Sequence, residues 1–212
     1  MKFRNIIFDC DSTLTTIEGL DEIARRKGLL GRVREITAAG MNDDIPYRVS
    51  FQKRWLEIVR PNEKDLEWLG EQYIKNLVED AFKVVNGLMS MGLNVFILSH
   101  VPEVPINILA RSLGLPKENV FAVPIKFSHD SVMSVPEAFL EVIEDFKDRI
   151  IKAVRISGPT VMVGDGMTDY EAGKYADLFI GFGGVVRREK IKALAPIYIE
   201  EPRLQPVVDI VL

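Results

Sequence analysis

Residues 5–15 read NIIFDCDSTLT. NIIF (5–8), with its apolar run of Ile6, Ile7 and Phe8, has the pattern of a buried strand and is the first one predicted. Where that run stops, Asp9 and Asp11 stand one residue apart with Ser12 and Thr13 behind them. A single carboxylate at a strand end is a common turn signal. Two of them backed by hydroxyls point to chemistry placed at the edge of a sheet.

The same kind of run recurs along the chain: NVFILS (94–99), ENVFAV (118–123), TVMVG (160–164), DLFIGF (177–182) and IYIE (197–200). Helical patterns separate the runs. One helix is predicted around Ala81–Met91 with Gly92 as its stop, and a second around Val104–Leu113 with Gly114 as its stop. A long third is predicted around Pro136–Ile156, ended by Ser157-Gly158-Pro159. Short β-branched and apolar strands alternating with helices predict βαβ units. The fold class is therefore α/β, a doubly wound, Rossmann-like parallel sheet covered on both faces. Residues 17–78 break the rhythm, because they carry only helical patterns: GLDEIARRKGL, GRVREITAAGM, YRVSFQKRWLEIV and EKDLEWLGEQYIKNL. The expected organisation is a catalytic core of residues 1–15 and 79–212 with an inserted helical cap of residues 16–78. Hinges are expected near 15–17 and 78–80. In open α/β sheets the ligand crevice lies beyond the carboxyl ends of the strands, so a lobe inserted after the first strand would cover it.

Bulk composition fits this reading. With 212 residues, 47% hydrophobic and 27% charged, the chain has the make-up of a globular protein. A net charge of −4 argues against a nucleic-acid partner. Cys10 is the only cysteine, so no internal disulfide can form. Strand alternation points its thiol into the core, away from Asp9 and Asp11. No run approaches the roughly 18 apolar residues of a membrane span. The expected location is the cytoplasm, as a monomer or homodimer.

Chemistry-bearing residues gather at the predicted strand ends. Asp9 and Asp11 follow the first strand and Ser99 closes the second. VGDGMTDYEA (163–172) follows the fourth and supplies Asp165 and Asp169. Carboxylates converging on one crevice repel one another unless a cation sits among them, and oxygen-only ligands suit Mg²⁺. A nearby serine and lysine suit a phosphate. Lys147 and Lys152 both lie on the preceding helix; Lys147 is the preferred candidate because its earlier position reaches back toward the strand ends. Taken together, the set reads as metal-assisted phosphoryl transfer. Any single member reads more simply as a turn, a cap or a solvated charge.

DCDSTLT resembles the D-x-D-x-T-L motif of the haloacid dehalogenase superfamily, and GDGMTD resembles its acidic motif. Within that superfamily the likeness is closest to the phosphoserine phosphatases, through DSTLTTIEGLDEIA and FIGFGGVVRREKIKALAPIYI. The resemblance implies a nucleophilic Asp9 that forms an aspartyl-phosphate, and an acid/base Asp11. It implies Mg²⁺ held by Asp9, the backbone carbonyl of Asp11 and Asp165. Ser99 and Lys147 would bind phosphate, with Asp169 in support. It further implies a substrate amine at Glu18, a substrate carboxylate at Arg54 and a pocket lined by Met41 and Tyr47.

Two stretches depart from that family. Ser99-His100-Val101-Pro102 replaces Ser-Gly-Gly, which makes His100 a candidate substrate contact in an altered pocket. SHDSVMSVPE (128–137) departs from the β-hairpin expected there. The leading expectation is a phosphatase for a small phosphomonoester such as L-phosphoserine. The alternatives are a phosphatase for a sugar phosphate or nucleotide, a phosphotransferase, a dehalogenase, and a non-catalytic ligand-binding protein on the same scaffold.

Overall fold

The computed structural model describes residues 2–41, 44–128 and 132–212, with Met41 described by its backbone alone. Six parallel strands form one sheet: β1 (Asn5–Phe8), β2 (Asn94–Pro102), β3 (Val120–Val123), β6 (Thr160–Gly164), β7 (Leu178–Phe182) and β8 (Ile197–Ile199). Their order across the sheet is β3-β2-β1-β6-β7-β8. Side chains alternate between its two faces, as extended backbone requires. Ile6, Phe8, Val161 and Val163 pack into one apolar layer, whereas Ile7 and Met162 pack into the other. Both layers are dry, so the strands are apolar throughout rather than alternating.

Strand order reverses at β1. From there the chain builds outward to β2 and β3, then returns to lay β6 on the other side of β1. Such a switch point opens a crevice at the carboxyl ends of the two flanking strands. Register brings those ends level: Phe8 pairs with Val163, and the Asp9 N–H donates to the Val163 carbonyl at 2.9 Å.

Between β1 and β2 the chain is helical: α1 (Gly19–Arg26), α2 (Leu30–Met41), α3 (Tyr47–Phe51), a π-type continuation over Gln52–Val59, and α4 (Glu63–Lys75). An Asn62/Asp65 capping box starts α4. The stretches entering and leaving this segment run side by side. Thr16 N–H donates to the Asn76 carbonyl at 2.8 Å, and Val78 N–H to the Leu14 carbonyl at 2.9 Å. The remaining helices are α5 (Ala81–Ser90), α6 (Glu103–Ser112), α7 (Glu137–Leu140), α8 (Phe146–Arg155), α9 (Met167–Gly173), α10 (Glu189–Leu194) and α11 (Gln205–Val211). Among the described residues, no helix is long and apolar enough to cross a membrane.

Three local expectations are corrected. The single helix expected over 136–156 is two, α7 and α8, with the break at residues 141–145. Ile143 is buried there, and its carbonyl accepts from His100 Nε2 at 3.1 Å instead of serving a helical turn. Strand β2 does not stop at Ser99 but runs to Pro102. Leu98 pairs with Phe121, and the next pair is Pro102 with Val123, so Ser99–Val101 bulges out of the ladder. Finally, the stretch read as departing from a hairpin does form one. β4 (Lys126–Phe127) pairs antiparallel with β5 (Met133–Ser134), while residues 129–131 lie outside the described residues. Two residues per strand are too few to produce a readable alternation.

Candidate active site

Sequence and register together place Asp9 and Asp165 side by side at the switch point. Asp9 is the first residue past β1, and Asp165 the first past β6. Asp169, in the first turn of α9, folds back over Gly164. A Cβ on Gly164 would lie 2.4 Å from Asp169 Cβ and Cγ, so a bare backbone is required there. Lys147, in the first turn of α8, is buried. Its Nζ donates to Asp9 Oδ1 at 2.6 Å and to Asp169 Oδ1 at 2.6 Å. Burial alone would lower the lysine's proton affinity, but the carboxylates of Asp169 and Asp9 outweigh it and raise it. Lys147 is therefore a fixed cation. Lys152, the rival, instead holds its ammonium 3.6 Å from the Tyr175 ring centroid.

One oxygen from each of Asp9, Asp165 and Asp169 lies within 4.8 Å of the others, and all three residues are buried. Burial raises Asp9 well above the usual carboxylate range. Asp169 adds to the rise, Lys147 opposes it, and Asp165 adds again. Asp165 is pushed up to about 7, by burial first; Arg188 opposes the shift, and Asp169 and Glu18 reinforce it. Three buried carboxyls thus crowd together, with Lys147 and Arg188 as the cations beside them. Hard oxygen donors in such a place fit a hard divalent cation. The carboxylate of Asp11 is not part of this cluster.

Asp11 points elsewhere. Its Oδ2 accepts from the Gly19 N–H at 3.0 Å, and its Oδ1 from the Tyr73 hydroxyl at 2.5 Å. Burial pushes its proton affinity up to about 8. The Glu18 charge reinforces the rise, and the two hydrogen bonds oppose it. The turn is possible because Ser12 takes a left-handed φ of 52°, uncommon for a residue with a side chain. Ser12 Oγ then donates to Glu18 Oε1 at 2.7 Å. Arg188 reaches Asp165 Oδ2 through Nε at 2.8 Å and Glu18 Oε1 through a terminal nitrogen at 3.4 Å. Cys10 is buried, as expected, but it belongs to this irregular turn rather than to β1. Burial and the two flanking aspartates raise its thiol well above the usual range, which leaves it inert.

The remaining predicted residues divide into two groups. Ser99 is buried on the bulge, where its Oγ accepts from Val101 N–H at 3.2 Å and donates to no partner among the described residues. His100 packs against Tyr47 at a centroid separation of 4.7 Å, the rings tilted by 40°, and lies 5.8 Å from Phe146. Burial and the charges of Lys147 and Arg54 lower its proton affinity well below the ordinary value, so it stays neutral. Arg54 acts on this pair through its charge, while its guanidinium is tied to the Ser50 carbonyl at 3.2 Å and Thr37 Oγ1 at 3.3 Å. Thus Tyr47, Arg54 and His100 form one group, and Glu18 lies with Ser12 and Arg188 in another. Met41 closes α2, and its side chain lies outside the described residues. Sequence reading missed Arg188 and Tyr73. Arg188 carries a signal, a basic pair following the β7 strand end. Tyr73 carries none, for it occupies an ordinary apolar position on α4.

Comparison with known proteins follows the same lines. Residues 3–177 match the haloacid dehalogenase-like hydrolase family. The phosphoserine phosphatase of Bos taurus is 32% identical over 200 residues, spanning 92% of this chain and 88% of its own. The phosphoserine phosphatase of Methanocaldococcus jannaschii is 31% identical over 216 residues, spanning 97% and 96%. A phosphoserine phosphohydrolase-like protein of Francisella tularensis superposes with a TM-score of 0.82 at 27% identity, covering 99% of this chain and all of its own.

Proposed function

Because this chain belongs to the haloacid dehalogenase-like hydrolase family, and is a phosphatase of that type, we propose that it hydrolyses a small phosphomonoester, L-phosphoserine first, through an aspartyl-phosphate at Asp9. One observation carries the reading: Asp9 stands at the switch point with one oxygen clamped by a buried ammonium and two further carboxylates beside it.

The free oxygen of Asp9 attacks phosphorus while the ester P–O bond breaks. Asp11, kept protonated near neutral pH by its burial, passes its proton to the departing alkoxide. In the second half, Asp11 takes a proton from water, water oxygen bonds to phosphorus, and the P–O bond to Asp9 breaks. That returns the free carboxylate and releases inorganic phosphate. Lys147 and the Ser99 hydroxyl receive the charge that builds on the phosphoryl oxygens. Asp169 and Asp9 hold Lys147 charged and in place. Asp9, Asp165 and the Asp11 carbonyl would hold Mg²⁺, with Asp169 close enough to join them. When bound, the cation cancels carboxylate charge that would otherwise repel the phosphate dianion.

The helices of residues 16–78 act as the cap, with Glu18 and Arg54 presented to the amine and carboxylate of the substrate. His100, standing where the family has glycine and packed against Tyr47, supports a second reading, an ester other than phosphoserine with the same chemistry. A panel of phosphoserine, sugar phosphates, nucleotides and p-nitrophenyl phosphate separates the two by kcat/KM. Asp9→Asn is expected to lose at least about a thousandfold in kcat on every ester, and chelation by EDTA to remove activity. An unchanged rate in either test overturns the nucleophile or the metal assignment.

A further inference from the structure

Asp11 is held at both oxygens, and both donors come from the helical segment between β1 and β2. The Gly19 N–H opens α1, and the Tyr73 hydroxyl stands in the last turn of α4. Tyr73 is fully buried among apolar neighbours. Nothing in that packing calls for a hydroxyl, since phenylalanine would fill the same space. A hydroxyl in a dry site is costly unless it is hydrogen-bonded, and the partner this one meets is the carboxyl that serves the leaving group. The surroundings are also shaped for the contact. A Cβ on Gly19 would stand 2.0 Å from the Tyr73 hydroxyl oxygen, so only glycine lets the phenol reach Asp11. The two donors differ in kind. A backbone N–H only donates, whereas a hydroxyl rotates between donor and acceptor and can follow Asp11 from carboxylate to acid.

We propose that Tyr73 is a positioning residue for the reaction, holding the Asp11 carboxyl in the rotamer that delivers its proton to the leaving oxygen. Because α4 carries the phenol and the β1 turn carries the carboxyl, that rotamer depends on how the inserted helices sit on the core. The inference rests on the phosphatase reading above, in which Asp11 is the acid.

Leaving-group dependence tests it. An alkoxide needs a proton to depart, whereas p-nitrophenolate does not. kcat/KM reports the steps up to that departure. Tyr73→Phe is expected to lower kcat/KM about tenfold or more on the best alkyl ester of the panel, L-phosphoserine first, and to stay within about twofold on p-nitrophenyl phosphate. In an Asp11→Asn background the same change is expected to add no further loss, as for two groups acting as one. If Tyr73→Phe fails to fold, Gly19→Ala displaces the phenol with its ring retained and is expected to give the same split. An equal loss on both esters, no loss on either, or additive losses with Asp11→Asn would overturn the role while leaving the phosphatase reading intact. Wild-type protein that hydrolyses neither ester would overturn both.

Discussion

At the scale of single residues, the crevice is decided by which charges are fixed and which are neutralised. Lys147 is locked between Asp9 and Asp169, and Arg188 between Asp165 and Glu18. His100 is the opposite case, an imidazole kept neutral by burial beside two cations. Its proton affinity is lowered on folding, so the unfolded chain binds the extra proton first. Stability is then intact above the ordinary histidine value of about 6.5 and falls as pH drops below it. Denaturant titrations between about pH 7.5 and 5.5 are expected to show a steeper loss for wild type than for His100→Gln, by at most about 1.4 kcal/mol per pH unit. Parallel slopes would mean that His100 is free to charge in the folded state. The carboxylates at the strand ends were legible because Asp-x-Asp after an apolar run is a local signal. Tyr73 was not, since nothing in the order of residues separates a packing tyrosine from one whose hydroxyl meets a carboxylate 62 positions away.

Elements set where those residues stand, and the floor of the sheet shows how firmly. Asn5, fully buried at the start of β1, has its amide nitrogen within 3.0–3.2 Å of four acceptors, the Val154 and Gly158 carbonyls, Ser157 Oγ and Thr160 Oγ1, which share its two N–H groups. Its own oxygen accepts from Asn94 at 2.9 Å. One side chain thereby ties β1 to β2, to the end of α8 and to the start of β6, the elements that carry Asp9, Ser99, Lys147 and Asp165. Asn5→Ala strips partners from several buried polar groups and is expected to cost about 2–3 kcal/mol in denaturant unfolding. A loss below about 0.5 kcal/mol would show that water replaces the amide. The strands were readable here, β1 and β6 to the residue, because buried parallel strands are continuous apolar runs. The break between α7 and α8 was not readable. Helical periodicity persists across it, and the competing partner of the Ile143 carbonyl comes from β2.

For the whole molecule, the switch point between β1 and β6 governs the architecture, because it draws acidic residues from distant parts of the chain into one dry crevice. That arrangement is strained by like charge, so a bound cation should stabilise the fold as well as serve the reaction. Magnesium at ten times its dissociation constant is expected to add about 1.4 kcal/mol, read as a rise in Tm, and Asp165→Asn to abolish the gain. No rise in the wild type would remove the cation from the cluster. The inserted helices belong to the same picture. Their entry and exit stretches are hydrogen-bonded to each other, and Arg48 of α3 bonds to Glu137 of α7, while Tyr47 rests on His100.

Read alone, the order of residues determined the α/β class, the strand-end positions of Asp9, Asp11 and Asp165, and the helical insertion after the first strand. All of these are one-dimensional patterns, carried by alternation, periodicity and spacing within a few residues. The order of residues also favoured Lys147 over Lys152, through its earlier place in the helix, and the crevice holds Lys147; tertiary structure alone decided that Arg188 reaches Asp165, that Ser99–Val101 bulges, and that Tyr73 meets Asp11. These contacts join elements whose neighbourhood is set by sheet order and helix packing, which local patterns in the chain do not specify.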